Sequence, residues 1–139
     1  MSTSLKELIF AGIAFSVSYS IAIATNLDIV IDAVLLAFII QWILFIPAYL
    51  LQTEKFYDIS GSITYISVVS YCFFNNYDSE NLNIGNVILS MIIIVWALRL
   101  GSFLFIRIKK AGEDIRFREI KKSPTRFFMT WTLQGMWVS

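Results

Sequence analysis

The sequence predicts an all-α fold, a polytopic membrane helix bundle with four spans and a truncated fifth. Hydrophobic residues make up 58% of the 139 residues and charged residues only 15%, against about 45–50% and about 25% in a typical soluble domain. The apolar residues also fall into long runs, which is typical of segments that cross the bilayer. A chain of this length holds one domain, so we assign residues 1–139 to a single membrane domain.

Four apolar runs have the length of a membrane span or approach it. They cover residues 8–24, 33–51, 59–74 and 84–106. A span needs about 17–25 residues, which the first, second and fourth runs provide. The third is shorter and contains several serines, so its helix ends must reach into the interface. Only a helix satisfies its own backbone in lipid, so each run is expected to be helical.

Small residues recur at four-residue spacing along the first run. Gly12, Ser16 and Ser20 occupy these positions. Such a stripe lets the backbone of a neighbouring helix approach closely. The sequence therefore predicts that this face of the first helix packs against another helix.

The basic residues indicate the orientation of the spans. With the N-terminus inside, ten of the eleven Lys and Arg residues fall on the cytoplasmic side. Eight of these ten lie in segment 107–126, whereas loops 25–32 and 75–83 on the other side carry only acidic charges, including Asp78 and Glu80. The positive-inside rule therefore predicts that the N-terminus and segment 107–126 are cytoplasmic.

A fifth apolar run begins at Phe127 and is too short to cross a bilayer. We expect the sequence to be the N-terminal part of a longer protein. The alternative is a helix that lies in the membrane interface, anchored by Trp131 and Trp137.

The composition excludes several kinds of site. The chain has no histidine and one cysteine, Cys72, so it cannot form a histidine metal site, a Ser-His-Asp triad or an internal disulfide. We predict no metal site. The net charge of +1 indicates no particular partner, and we expect contact with membrane lipid and none with nucleic acid.

The most informative polar stretch follows the second run. Gln52, Glu54, Tyr57 and Asp58 lie there, and a helix would place Glu54 and Asp58, four residues apart, on one face. Partial burial at a membrane boundary raises the pKa of a carboxyl group, which would make a proton donor near neutral pH. The alternative is a polar turn at the interface.

Arg99 is the only charge in the fourth run. An arginine inside a span usually has a partner or lines a pathway, and Glu54 or Asp58 is the predicted ion-pair partner. Snorkelling to the interface is the alternative. The basic segment 107–126 is either a topology signal beside anionic lipid or a phosphate-binding face for a nicotinamide cofactor, and it contains no Gly-rich phosphate loop.

Three stretches together resemble a known family. QTEKFYDISGSITY at 52–65, WALRLGSFLFIRIKKAGEDIRF at 96–117 and RFFMTWTLQGMWV at 126–138 are similar to a domain-of-unknown-function branch of the steroid 5-alpha-reductase superfamily. The resemblance implies a membrane reductase fold of the seven-helix type. It also implies NADPH bound from the cytoplasmic side and a lipid-like enone substrate that enters from the bilayer.

The resemblance also assigns residues to roles. It implies a catalytic Glu54 that hydrogen-bonds the substrate carbonyl. The neighbouring polar residues Gln52 and Tyr57 are the candidates for substrate binding. The positions that match the cofactor site are Arg99, Arg107 and Asp114.

One departure from the family pattern is Trp96, which stands near the place where steroid-type members carry a tyrosine. Tyr57 or Tyr65 would then have to partner Glu54. Two other functions stay open. One is a membrane methyltransferase that uses S-adenosylmethionine, a chemistry found among related folds, and the other is a small non-enzymatic helical membrane protein.

Overall fold

The computed structural model describes residues 2–75 and 83–139, which form helices joined by turns, with no strand in either range. The all-α prediction is confirmed. In chain order the helices are α1 (Thr3–Ala24), α2 (Asp28–Leu50), α3 (Tyr57–Asn75), α4 (Ile84–Ala111) and α5 (Pro124–Val138), with a short 3-10 helix at Ile115–Phe117 before α5.

Three of the helices, α1, α2 and α4, are long and apolar enough to cross a membrane. They correspond to the first, second and fourth predicted spans. The third run forms α3, a 19-residue helix that is more polar, and its crossing of the membrane stays a prediction. Asp78 and Glu80 of the predicted outer loop lie outside the described residues.

The helix ends follow from local sequence. Asn83 caps α4 through the N–H of Gly85, and Ser123 caps α5 ahead of Pro124, which suits the first helical position. Gly112, at φ 84°, ends α4 in a conformation that favours glycine. The fourth helix therefore continues beyond residue 106, and Arg107 to Lys110 are helical rather than part of a loop. Two lysines in the last turn suit the negative end of the helix dipole.

Helix α5 lies in the middle of the bundle and contacts α1, α2 and α3. Phe127, Trp131 and Gly135 are buried at these contacts, and a Cβ at Gly135 would lie 3.0 Å from the ring of Phe38. Trp131 is 0% exposed. It therefore packs inside the protein and does not anchor an interfacial helix, whereas Trp137 is exposed.

The predicted packing stripe on α1 is wrong. Gly12, Ser16 and Ser20 are exposed, and nothing lies within 4 Å of a Cβ built at Gly12. The buried face carries Ala11, Ala14, Ser18 and Ala22 instead. Both faces carry small residues at intervals of three or four positions, so the sequence pattern did not distinguish the buried face from the exposed one.

Helix α4 contacts only α3 among the described helices. The two helices come closest at Gly101, where a Cβ would overlap the hydroxyl of Ser62. Most of the other side chains along α4 are exposed and apolar. Helix α4 carries more exposed large hydrophobic side chains than any other described helix.

A buried polar pair links α2 to α3. Gln41 Nε2 donates to Thr64 Oγ1 over 2.8 Å, and both side chains are fully buried. Thr64 in turn donates to the carbonyl of Ser60. Gln41 Oε1 has no hydrogen-bond partner among the described residues, so the amide depends on Thr64 for its one bond.

Candidate active site

Glu54 lies in the turn between α2 and α3 and is only 2% exposed. Its Oε2 is 2.8 Å from Lys121 Nζ, and its Oε1 accepts a hydrogen bond of 3.1 Å from the backbone N–H of Asp114. One carboxylate thus joins the α2–α3 turn to the segment between α4 and α5. Lys121, which the sequence did not single out, is the partner of Glu54.

The predicted helix that would have carried both acids does not include Glu54. Helix α3 begins only at Tyr57, whose N–H donates to the carbonyl of Glu54. The chain turns sharply before that point, since Gln52 has φ 49°. The turn carries Glu54 toward Lys121, so Glu54 and Asp58 do not share a helix face.

Glu54 is ionised at neutral pH. Burial opposes its charge, but the hydrogen bonds from Lys121 and from the backbone of Asp114 outweigh burial and lower the pKa of the carboxyl group. For Glu54 the predicted rise in pKa is therefore wrong. An ionised Glu54 accepts hydrogen bonds and cannot donate one to a substrate carbonyl.

A second group of charges lies beside Glu54. Asp114 pairs with Arg116, and Arg116 Nη2 also lies 3.8 Å from Asp58 Oδ2. The hydrogen bonds from Arg116 outweigh burial and lower the pKa of Asp114, and Arg107 adds to this effect by its charge. We call this set the basic-end cluster, and its members are Glu54, Asp58, Arg107, Asp114, Arg116 and Lys121.

The two predicted substrate-binding residues point elsewhere. Gln52 is exposed, and its Nε2 donates to the carbonyl of Tyr49 in its own turn. Tyr57 donates to the carbonyl of Thr130 over 3.1 Å, which ties it to α5. Tyr65 donates to the carbonyl of Trp137. In the described chain, neither tyrosine hydroxyl bonds to the carboxylate of Glu54.

The structure brings together two of the three predicted cofactor residues, Arg107 and Asp114. Arg99 lies apart, exposed on α4, in a pocket of about 420 Å³ that it lines with Trp96, Leu100 and Phe103. The predicted ion pair of Arg99 with Glu54 or Asp58 is absent from the described chain. Lys121 and Arg116 pair with those acids instead.

An apolar groove of about 250 Å³ lies between the end of α2 and the beginning of α3. Its walls are largely aliphatic, and Trp131 of α5 contributes to them. Residues lining it include Leu44, Ala48, Leu51, Ile59 and Ile63. A groove of this kind suits an acyl chain or a fused-ring lipid and is located at the same end of the bundle as Glu54.

A third ionic contact, which the sequence did not predict, holds α1 against α5 at this end. Glu7 is buried and accepts hydrogen bonds from Arg126 Nε, over 2.9 Å, and from the hydroxyl of Thr125. The one sequence feature that could have indicated this contact is the position of Glu7, directly before the first apolar run. In the described ranges no group of three Cys, Asp or Glu side chains could hold a metal ion.

Comparison with known proteins gives one match. A family model described as "Protein of unknown function (DUF1295)" matches residues 18–139. No curated protein and no solved structure matches the chain. The matched range includes residues 18–24 at the end of α1, all of α2 to α5, and every member of the basic-end cluster.

Proposed function

The chain belongs to the DUF1295 family, a membrane family of unknown function, and we propose that it forms part of an NADPH-dependent reductase of the steroid 5-alpha-reductase superfamily. The proposed substrate is a lipid-like enone, whose carbon–carbon double bond is reduced. The proposed reaction takes place at the end of the bundle that carries the basic segment.

One observation carries the proposal. The basic-end cluster and the apolar groove lie at the same end of the bundle, so a charged cofactor and an apolar substrate can meet there. Lys121 and Arg116 are held by carboxylates, but Arg107, Lys109 and Lys110 have no carboxylate within 4 Å in the described part of the chain. Three such cations on the last turns of α4 fit the phosphates of a dinucleotide.

NADPH would supply the hydride. When hydride adds to an enone, negative charge develops on the carbonyl oxygen, and a hydrogen-bond donor placed there lowers the barrier. Glu54 is ionised, so we assign the donor role to the ammonium group of Lys121. Glu54 then acts as a positioning residue. Its carboxylate binds this ammonium group with one oxygen and the backbone N–H of Asp114 with the other.

The test uses the protein with any sequence that follows Ser139 in its gene, reconstituted in lipid nanodiscs. We expect saturable binding of NADPH, measured by its fluorescence, and enone-dependent NADPH oxidation. Arg107→Ala should weaken NADPH binding about tenfold, the effect of losing one charge-assisted contact. Lys55→Ala, which removes an exposed cation from the α2–α3 turn, is the matched control and should bind normally.

Absence of NADPH binding would overturn the proposal. Binding of S-adenosylmethionine in place of NADPH would select the methyltransferase alternative. If neither cofactor binds, the remaining alternative is a non-enzymatic membrane protein that acts by association, for which the exposed apolar face of α4 is the available surface.

A further inference from the structure

Two pockets on the α4 side of the bundle share a wall. The outer pocket, of about 420 Å³, contains Arg99 and Phe103. The inner pocket, of about 160 Å³, lies between α3, α4 and α5. Trp96 and Leu100 line both pockets. The two pockets therefore adjoin at these two side chains.

The inner pocket is the polar one. Asp58, Ser62, Tyr65 and Gln134 line it, with Leu104 at the end nearer the basic segment. The side chains of Ser62 and Tyr65 already donate to backbone carbonyls. The hydroxyl oxygens of Ser62 and Tyr65 can still accept, whereas Asp58 offers an acceptor and Gln134 a donor that make no other hydrogen bond in the described chain.

Asp58 supplies an acceptor without a hydrogen-bond partner. Its Oδ2 is buried and has no hydrogen bond among the described residues. The guanidinium of Arg116 lies 3.8 Å away, which is an ion pair beyond hydrogen-bond distance. A buried carboxylate oxygen without a hydrogen bond is costly, and a donor from a ligand would satisfy it.

Gln134 supplies a donor. Its Oε1 faces the hydroxyl of Ser60 at 3.1 Å, and that hydroxyl also donates to the carbonyl of Tyr57 over 2.6 Å. Its Nε2 is then directed toward Gly61, where a Cβ would come within 2.6 Å, and it makes no hydrogen bond in the described chain. Glycine at this position leaves the amide nitrogen accessible in the pocket.

We propose that the inner pocket binds the hydroxyl group of a monohydroxy amphiphilic lipid, whose apolar body lies in the outer pocket against Trp96, Leu100 and Phe103. A hydroxyl group donates to Asp58 and accepts from Gln134, so it satisfies both free groups at once. An ether or a ketone has no proton for Asp58. A carboxylate is repelled by Asp58, and an ammonium group has no lone pair to accept a hydrogen bond from Gln134.

The depth of the inner pocket also fits such a lipid. Asp58 is in the first turn of α3, and Leu104 lies seven residues before the end of α4, about 10 Å along the helix. Both positions are near the basic end of the bundle. An amphiphilic lipid keeps its hydroxyl group near the interface and its apolar body in the hydrocarbon, which is the same arrangement.

The proposal does not depend on the reductase proposal, since it concerns binding alone. The probe is tritiated hexadecanol, added to the protein in nanodiscs without NADPH. We expect saturable binding that unlabelled hexadecanol displaces at about tenfold lower concentration than hexadecyl methyl ether does, the effect of one hydrogen bond to a charged group. Hexadecanoic acid should also be a weak competitor. Equal competition by all three compounds would show simple partition into lipid and overturn the proposal.

Variants locate the site. Asp58→Asn should weaken hexadecanol binding about tenfold, because the bond to a charged acceptor is lost. Leu104→Trp, which fills the inner pocket without touching the cluster of charges, should abolish saturable binding even if Asp58→Asn fails to fold. Glu119→Gln removes an exposed acid at the same end of the bundle and should bind hexadecanol normally. Unchanged binding in Leu104→Trp would contradict the assignment.

Discussion

Glu54 and Lys121, 67 positions apart in the sequence, form an ion pair of 2.8 Å in which the carboxylate is buried. The pair closes the basic end of the bundle, because Glu54 belongs to the α2–α3 turn and Lys121 to the segment before α5. Loss of either partner leaves the other with an unbalanced charge. An unpaired Glu54 carboxylate costs more free energy than an unpaired Lys121, because the carboxylate is the more deeply buried of the two.

Lys121→Met should therefore lower the free energy of unfolding by about 2–3 kcal/mol, less than for a fully buried pair because Lys121 is partly solvated. Unfolding in mixed detergent micelles measures it. Lys122→Met is the matched control, since Lys122 pairs with Glu119 where both side chains are largely exposed, and it should change stability by less than about 0.5 kcal/mol. Equal losses of unfolding free energy in the two variants would show that the buried Glu54–Lys121 pair stabilises the protein no more than an exposed pair does.

The stability of the protein should depend on pH through Glu54. Because its pKa is lowered on folding, the stabilising effect is present above the ordinary carboxyl pKa of about 4.3 and is lost as pH falls through the lowered value. We expect the melting temperature of the wild type to fall more steeply than that of Glu54→Gln as the medium is acidified from about pH 4.3 toward the lowered pKa. Parallel curves for the two proteins would contradict the assignment.

The α3–α4 contact should tolerate no side chain at residue 101. Gly101→Ala places a methyl group against Ser62, within a tightly packed contact, and should lower the free energy of unfolding by about 1–3 kcal/mol. Gly12→Ala is the control, because the same substitution there meets open space. It should leave stability unchanged or raise it by up to about 1 kcal/mol, as helix propensity predicts. An unchanged free energy of unfolding in Gly101→Ala would mean that the two helices separate readily to make room for the methyl group.

The buried amide of Gln41 should be sensitive to Thr64. Thr64→Val removes its one hydrogen-bond partner and should lower the free energy of unfolding by about 1–3 kcal/mol. Adding Gln41→Met, which removes the unpaired amide, should restore most of the loss. A double-mutant cycle measures the coupling, and simple additivity of the two losses would be the contrary result.

The orientation of the spans stays a prediction that labelling can check. In a Cys72→Ser background, Lys110→Cys should be protected from an impermeant maleimide in intact cells, because the positive-inside rule places it in the cytoplasm. Leu27→Cys, at the exposed turn between α1 and α2, should be labelled. The reverse pattern would invert the topology.

Much of the fold could be predicted from the sequence. The hydrocarbon thickness fixes the length of a span, so long apolar runs such as 33–51 and 84–106 indicate helices directly. The end of α4 was less evident, since Arg107 to Lys110 suit either a loop or the last turn of a helix. The packing face of α1 could not be predicted, because glycine, alanine and serine residues lie on both sides of it.

The candidate site could be predicted only in part. The sequence singled out Glu54, Arg107 and Asp114, which the structure brings to one end of the bundle. It did not identify Lys121, because eight basic residues lie within segment 107–126 and the choice among them depends on how distant turns meet. The pKa of Glu54 also depends on that partner, so burial alone predicted the wrong direction.

The central position of α5 has a consequence for biosynthesis. Helices α1 to α3 are synthesised before α5, but the surfaces that they will bury around Phe127 and Trp131 have no partner until residues 124–138 are made. Until then, the polar pair of Gln41 and Thr64 is held only by α2 and α3, the helices that carry it. Helix α5 therefore covers these surfaces, and a ribosome stalled before residue 124 would leave them open for quality-control proteases to recognise.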